Sequence, residues 1–281
     1  MTFRIFSILL LLGSAVVAHA QTPATAPLII PRAATPPTLA DYLDGVPRPD
    51  EAAVTTFVQR EPGDGVPASQ KTEAYVSYDS THLYVIFVAR DDDPSQVRAS
   101  LARRENFGND DFVGIILDTF HDRRNSYLFI CNPLGVQLDG VNTDGEDDDY
   151  SFDTVWASEG RRTDFGFVVR MAIPFKSLRF ASAPEQEWGI AFARAIRRNN
   201  ETSFWPYLTR RIASIAQQLA TARGVRDISP GRNMQVIPYG AFAGARFLDE
   251  ERPAFVTDTE GRAGLDGKFV IKDAFTLDLT F

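Results

Sequence analysis

One cysteine, three histidines, three methionines and three tryptophans among 281 residues exclude several common chemistries. Cys131 has no second cysteine to pair with, so no internal disulfide forms. It ends the apolar run Tyr127–Cys131, where a buried, inert thiol is expected; a nucleophile needs exposure and a nearby base. His19 falls in the N-terminal leader, and His82 and His121 lie in turn-like segments. Two such residues poorly support a Ser–His triad or a polyhistidine zinc centre. Neither a Gly-x-Ser-x-Gly elbow nor a phosphate-binding glycine loop occurs. Positive charge is also short: 29 Lys and Arg against 37 Asp and Glu, a formal −8. Nucleic acid, which needs a basic face, is not an expected partner. Five tandem arginine pairs, most of them close to carboxylates in sequence, read as solvated loops and ion pairs.

The remaining composition is that of an ordinary globular chain, 44% apolar and 23% charged. Its length buries a substantial core without staples. Arg4, the apolar run Ile5–Val17 and the small-residue site Ala18-His19-Ala20 form a secretory signal, residues 1–20, with Gln21 as the mature N-terminus. That run is too short to span a bilayer comfortably. An exported protein follows. Gln21–Pro37, rich in Pro, Ala and Thr, is expected to be an extended, poorly ordered leader.

Short strand patterns then recur at regular spacing. Ala74, Val76 and Tyr78 alternate in 73–78, and Leu83–Ala89 is a continuous apolar run, as in a strand buried on both faces. The pair reads as a hairpin around Asp79–His82. Further strands are expected at 111–118, 127–131, 136–141, 165–173 and 188–193. The pattern is that of an all-β, antiparallel, jelly-roll-like sandwich over residues 38–228. Without strand–helix alternation a doubly wound α/β fold is disfavoured. Ser95–Arg104 reads as a short helix, and Arg210–Arg223 as either a helix or an ordered loop crossing the sandwich. Ser229-Pro230-Gly231 marks a domain boundary. Beyond it, Phe275, Leu277, Leu279 and Phe281 alternate strictly, the pattern of an outer-membrane barrel strand. Residues 229–281 supply only a few such strands, so a truncated barrel-like segment is expected.

Three blocks carry a resemblance to a known family: Asp110–Asn125 with Tyr127 and Asn132–Gly135, Asp153–Trp156 through Ile173–Phe180, and Trp188 through Trp205-Pro206. Together they resemble a family 9 carbohydrate-binding module, in the variant found at the N-terminus of large bacterial outer-membrane barrel proteins. The resemblance covers roughly Ala40 to Trp205. It implies carbohydrate binding, an association with polysaccharide catabolism and O-glycosyl hydrolysis, and a place in the periplasm or outer membrane of a Gram-negative bacterium. Where related sequences carry an acidic residue before the Ile-Pro-Phe turn, this chain has Val169-Arg170-Met171, which puts a ligand contact from that strand in doubt.

A sugar site needs flat aromatic faces for C–H stacking and polar groups for hydroxyls. The candidate ligand-binding residues are Trp156 as platform, Asp153 and Arg194 as polar partners, and Trp205; Tyr150, Phe152 and Tyr207 stand beside these tryptophans in sequence. Base rates for buried aromatics put Trp156 in the core more often than on a platform, and Trp188 reads as core. In the acidic loop 144–149, Asp144, Glu146 and Asp148 are candidate ligands for a structural calcium, which the resemblance favours although EF-hand spacing is missing. Two other readings stand beside binding. One is a glycosidase, which needs two carboxylates at a set separation and shows no catalytic motif; the other is a scaffold that caps a membrane barrel. A haem-binding role through Met171 lacks a second axial ligand.

Overall fold

The computed structural model describes residues 26–104, 106, 108–230, 234–249, 254–271 and 275–280. The expected signal, residues 1–20, and the first part of the leader lie outside the described residues. Strands are numbered β1 (Leu28–Ile29), β2 (Ala52–Val54), β3 (Val58–Glu61), β4 (Thr72–Tyr78), β5 (His82–Arg90), β6 (Phe112–Asp118), β7 (Asn125–Cys131), β8 (Gln137–Thr143), β9 (Ala157–Thr163), β10 (Gly166–Pro174), β11 (Trp188–Ile196), β12 (Glu201–Trp205), β13 (Ala220–Arg223), β14 (Met234–Asp249), β15 (Ala254–Ile271) and β16 (Phe275–Thr280).

The first thirteen form two sheets. An eight-stranded sheet runs β1-β13-β11-β6-β7-β8, with β12 and then β3 added beside β11; a five-stranded sheet runs β2-β4-β5-β10-β9. All pairings are antiparallel except β1 with β13. The expected β4–β5 hairpin is present, and every residue of β5 from Leu83 to Ala89 is buried. The reason is its central place: β4 and β10 flank it, and both of its faces are covered.

Period-two alternation sorts the side chains into layers. Val76, Val85, Phe87, Val169, Met171, Val113, Ile115, Phe129, Ile190 and Phe192 fill the layer between the sheets. Met171 is therefore a core methionine, fully buried. Cys131 lies in the same layer, where burial pushes its thiol pKa up to about 12. The outer face of the five-stranded sheet is covered by Leu39, Tyr42 and Leu43, which pack on Tyr75, Ile86, Val88 and Val168.

Two expectations are corrected. The leader is ordered from Leu28: β1 pairs with β13, Ile30 is buried in the core, and Ala33 N–H donates to Tyr78 O at 2.7 Å. The expected helix at 95–104 is a single 3-10 turn, Pro94–Gln96, because Asp110 and Asp111 accept from the Ser100 and Arg98 amides instead. Of the two readings of 210–223, the loop is the right one: a 3-10 turn at Ala216–Gln218 leads into β13. Gln218 Nε2 donates to the Thr209, Ile212 and Ser214 carbonyls, replacing the bonds a helix would have made. The loop lays Leu208, Ile215 and Leu219 over Ile116, Ala191, Ala193 and Phe204 on the outer face of the eight-stranded sheet.

Strands β14–β16 form a separate three-stranded meander. Their register places Val236, Phe242, Leu248, Phe255, Leu265 and Leu277 on one face, and Asp258, Glu260 and Arg262 with Tyr239 and Phe247 on the other. All of those apolar residues are exposed. Among the described residues no helix is long and apolar enough to cross a membrane, which leaves membrane strands untouched.

The β4–β5 turn contains a pH-sensitive contact. Burial pushes the Asp79 carboxyl up, but bonds from the Tyr84 hydroxyl, the Thr81 amide and hydroxyl and the His82 amide outweigh it and hold the pKa at about 2. A depressed carboxyl stabilises the fold above its unfolded pKa and loses that contribution as pH falls through the folded one. Asp79→Asn is expected to lower the urea midpoint at pH 6, and the difference from the parent protein should disappear between about pH 4 and pH 2.

Candidate functional site

The three tryptophans all turn inward. Trp156 is 6% exposed and packs edge-on against Phe129 with centroids 5.4 Å apart. Trp188 is 1% exposed between Phe175 and Phe180. Trp205 is half-buried against Phe192 at 6.0 Å, on the side of β12 that joins the core. Trp156 as folded offers no free face to a sugar. The segment 150–156 has no regular period, so its inward turn was not readable from spacing.

Arg194 is corrected likewise. Its place in the inward row Trp188, Ile190, Phe192, Arg194, Ile196 puts it between the sheets, 1% exposed. Nη1 donates to Lys71 O at 3.0 Å and Thr72 Oγ1 at 2.9 Å, Asp91 lies 3.6 Å from Nη2, and the guanidinium covers the Phe167 ring at 5.6 Å. Burial lowers its pKa to about 10, against the pull of Asp91, Asp111 and Glu201. Asp91 in turn takes a bidentate pair of bonds from Arg198 at 2.7 and 2.8 Å. This is an internal charge network rather than a ligand contact.

Asp153 is 67% exposed and ion-paired with Arg104 at 2.9 Å. Arg104 also reaches buried Asp139 at 2.6 Å and the Thr154 carbonyl, so it latches the 150–156 segment onto β8. The structure therefore does not gather Trp156, Asp153, Arg194 and Trp205 around one surface. Nor do Asp144, Glu146 and Asp148 converge. Asp144 accepts from Gln217 and Asp148 from Asn142 and Tyr150. Among the described residues no three His, Cys, Asp or Glu side chains gather as a metal site. Calcium takes six to eight oxygens, so the loop as folded does not fit that ion.

What the structure does bring together lies on the outer face of β6–β8. The chain leaves β8, turns through the acidic loop and doubles back along its free edge. Val141 and Asp149 exchange both backbone bonds, at 3.0 and 2.9 Å. That register sets Tyr150 opposite Gly140 and Asp148 opposite Asn142, all facing outward. A Cβ on Gly140 would sit 2.9 Å from both the Tyr150 ring and the Asp149 carbonyl, so only glycine admits the ring here. Tyr150 is 39% exposed. Its hydroxyl donates to Asp148 Oδ2 at 3.0 Å, and Asn142 Nδ2 donates to Asp148 Oδ1 at 2.8 Å. Partial burial and the Asp148 charge push the Tyr150 pKa up to about 12, so it stays a protonated donor.

Half-buried Ile130 and Leu138, paired across β7 and β8, form an apolar floor beside the ring. Beyond them Arg197 closes the face. Its guanidinium lies 5.1 Å over the Phe112 ring, and Nε donates to Asp110 O at 3.2 Å. Its charge reaches the Tyr150 hydroxyl. Among the described residues burial raises two carboxyls, Glu51 and Asp111, and neither opens on this face: Glu51 lies on the other sheet and Asp111 is 1% exposed. Glu51 holds Tyr42 and Ser77, and Asp111 accepts from the Arg197 and Arg98 amides.

No family model matches the sequence, and no curated protein matches it. The fold does have solved counterparts. A proposed carbohydrate-binding protein from Bacteroides uniformis is 14% identical, with a TM-score of 0.53 over 70% of this chain and 98% of that one. A family 9 carbohydrate-binding module from Caldicellulosiruptor kristjanssonii, solved with cellotriose, is 14% identical at TM-score 0.44, over 70% and 92% of the two chains. A family 9 module from Caldicellulosiruptor kristjanssonii solved with glucose is 14% identical at TM-score 0.44, over 72% and 95% of the two chains. The likeness to the Bacteroides protein shows a shared sandwich fold and, at 14% identity, the fold alone.

The charge network carries a stability prediction. Removing one partner of a buried ion pair strands the other charge, at about 3–5 kcal/mol. Asp91→Ala should lower unfolding free energy by that order in urea, while Arg194→Met, which removes the buried charge itself, should cost much less.

Proposed function

We propose that this protein is an exported carbohydrate-binding module whose ligand lies on the outer face of β6–β8. The observation that carries the reading is Tyr150: an exposed ring held against Gly140 with its hydroxyl fixed by Asp148 and Asn142. A pyranose stacks its C–H face on such a ring, and the carboxylate and amide beside it take the hydroxyls. The sandwich shared with the Bacteroides protein supports the reading. Among the described residues neither carboxyl that burial raises opens on this surface, so the geometry favours holding a glycan over cleaving one. A role in polysaccharide breakdown would then come from presenting the glycan to a hydrolase.

A second element favours a membrane association. Strands β14 and β15 run 16 and 18 residues, longer than the roughly 9–11 a membrane strand needs, with exposed apolar side chains on both faces, Ile237, Tyr239, Phe247 and Val256 lying opposite the Val236 and Phe242 face. We read the meander as barrel-type strands, and the periplasm or outer membrane as the location.

Tyr150→Ala should weaken the binding of soluble oligosaccharides at least about tenfold, about 1.4 kcal/mol, with the unfolding midpoint nearly unchanged. Trp156→Ala should do the reverse, costing about 3–5 kcal/mol of stability while the folded fraction keeps its affinity. Calorimetric titration against a panel of glycans reads both; a loss of affinity confined to Trp156→Ala would contradict the placement.

A further inference from the structure

We propose that the glycan bound at this face carries a carboxylate, as in a uronic acid, and that Arg197 reads it. The inference rests on the Tyr150 face being the binding surface and goes on to name the ligand class. Arg197 is fixed at three points: its amide donates to Asp111 Oδ1 at 2.8 Å, Nε donates to the Asp110 carbonyl, and its plane covers Phe112. Those contacts use the Nε edge and one face. Neither Nη1 nor Nη2 has a hydrogen bond or ion pair among the described residues, and the side chain is only half-buried. Its tandem neighbour contrasts with it, since both Arg198 Nη atoms are spent on Asp91.

A guanidinium whose terminal nitrogens are open and whose orientation is already fixed is matched to a carboxylate, which takes two parallel N–H bonds. A neutral hydroxymethyl group takes one weaker bond. The far end of the face is the opposite in character: Asp148 presents a carboxylate held by Asn142 and Tyr150. The surface is therefore polarised, an acceptor at one side of Tyr150 and an unspent cation at the other, with Ile130 and Leu138 between. A uronic acid is polarised in the same sense. Its ring hydroxyls donate to Asp148, its C–H face lies on Tyr150, and its C5 carboxylate meets Arg197. The reversed orientation would set carboxylate against carboxylate.

The test compares matched pairs by calorimetry at low and moderate salt: tetragalacturonate against the neutral α-1,4-linked galactotetraose, and a glucuronate tetramer against cellotetraose. The acidic member of a pair should bind at least about tenfold tighter, with the margin shrinking as salt rises. Arg197→Gln should remove the margin, lowering the acidic affinity far more than the neutral one, and Arg197→Lys should restore part of it; thermal melts of both variants check that they fold. Equal affinity for acidic and neutral members, or a margin that survives Arg197→Gln, overturns this inference and leaves the Tyr150 site standing. Binding of either class that is unchanged by Tyr150→Ala, or no binding in any pair, overturns the site and the inference together.

Discussion

The packing of two sheets through one apolar layer constrains everything else in this molecule. Most of the large flat rings of the sandwich are drawn into that layer, among them Phe87 and Phe192 at 5.9 Å, Phe129 and Trp156, Phe175 and Trp188. Burying such rings is the largest favourable contribution available to a chain of this composition. The consequence for function is geometric. Surfaces for a ligand must come from the outer faces and edges, using residues the core did not claim.

Two of those outer areas are already covered. Leu39, Tyr42 and Leu43 cap the five-stranded sheet. Leu208, Ile215 and Leu219 cap β11 and β12 in the larger one and reach Ile116 of β6 and Leu128 of β7. The rest of the β6–β8 face keeps half-buried Ile130 and Leu138 and acquires Tyr150, brought there by the return of the acidic loop along β8. The charge network around Arg194 belongs to the interior. Burial lowers the arginine pKa, and Thr72, the Lys71 carbonyl and the Phe167 ring hold it while Asp91 and its carboxylate neighbours balance the charge.

The sandwich was legible because its strands are either continuous apolar runs, as in Leu83–Ala89, or strict alternations, as in 73–78. The inward place of Arg194 was legible too: it occupies the same parity as Trp188, Ile190 and Phe192. Its charge masked that signal, since an arginine suggests a surface. The 210–223 loop imitated a helix because Ile212, Ile215 and Leu219 fall at helical spacing, yet an extended chain laid across a sheet buries the latter two equally well. Trp156 could not be oriented from spacing, because no period runs through 150–156. Tyr150 was visible only as an aromatic next to acidic residues. Its significance depends on Gly140 standing opposite, ten positions earlier, and that needs the register of the returning strand.

The most direct test of this arrangement is a map of amide and indole NMR shifts during titration with a glycan that binds. Perturbations should gather on Gly140, Asn142, Asp148, Tyr150 and Arg197, with the indole N–H signals of Trp156 and Trp188 unmoved. Large shifts of the Trp156 indole, with the β6–β8 outer face silent, would contradict the account.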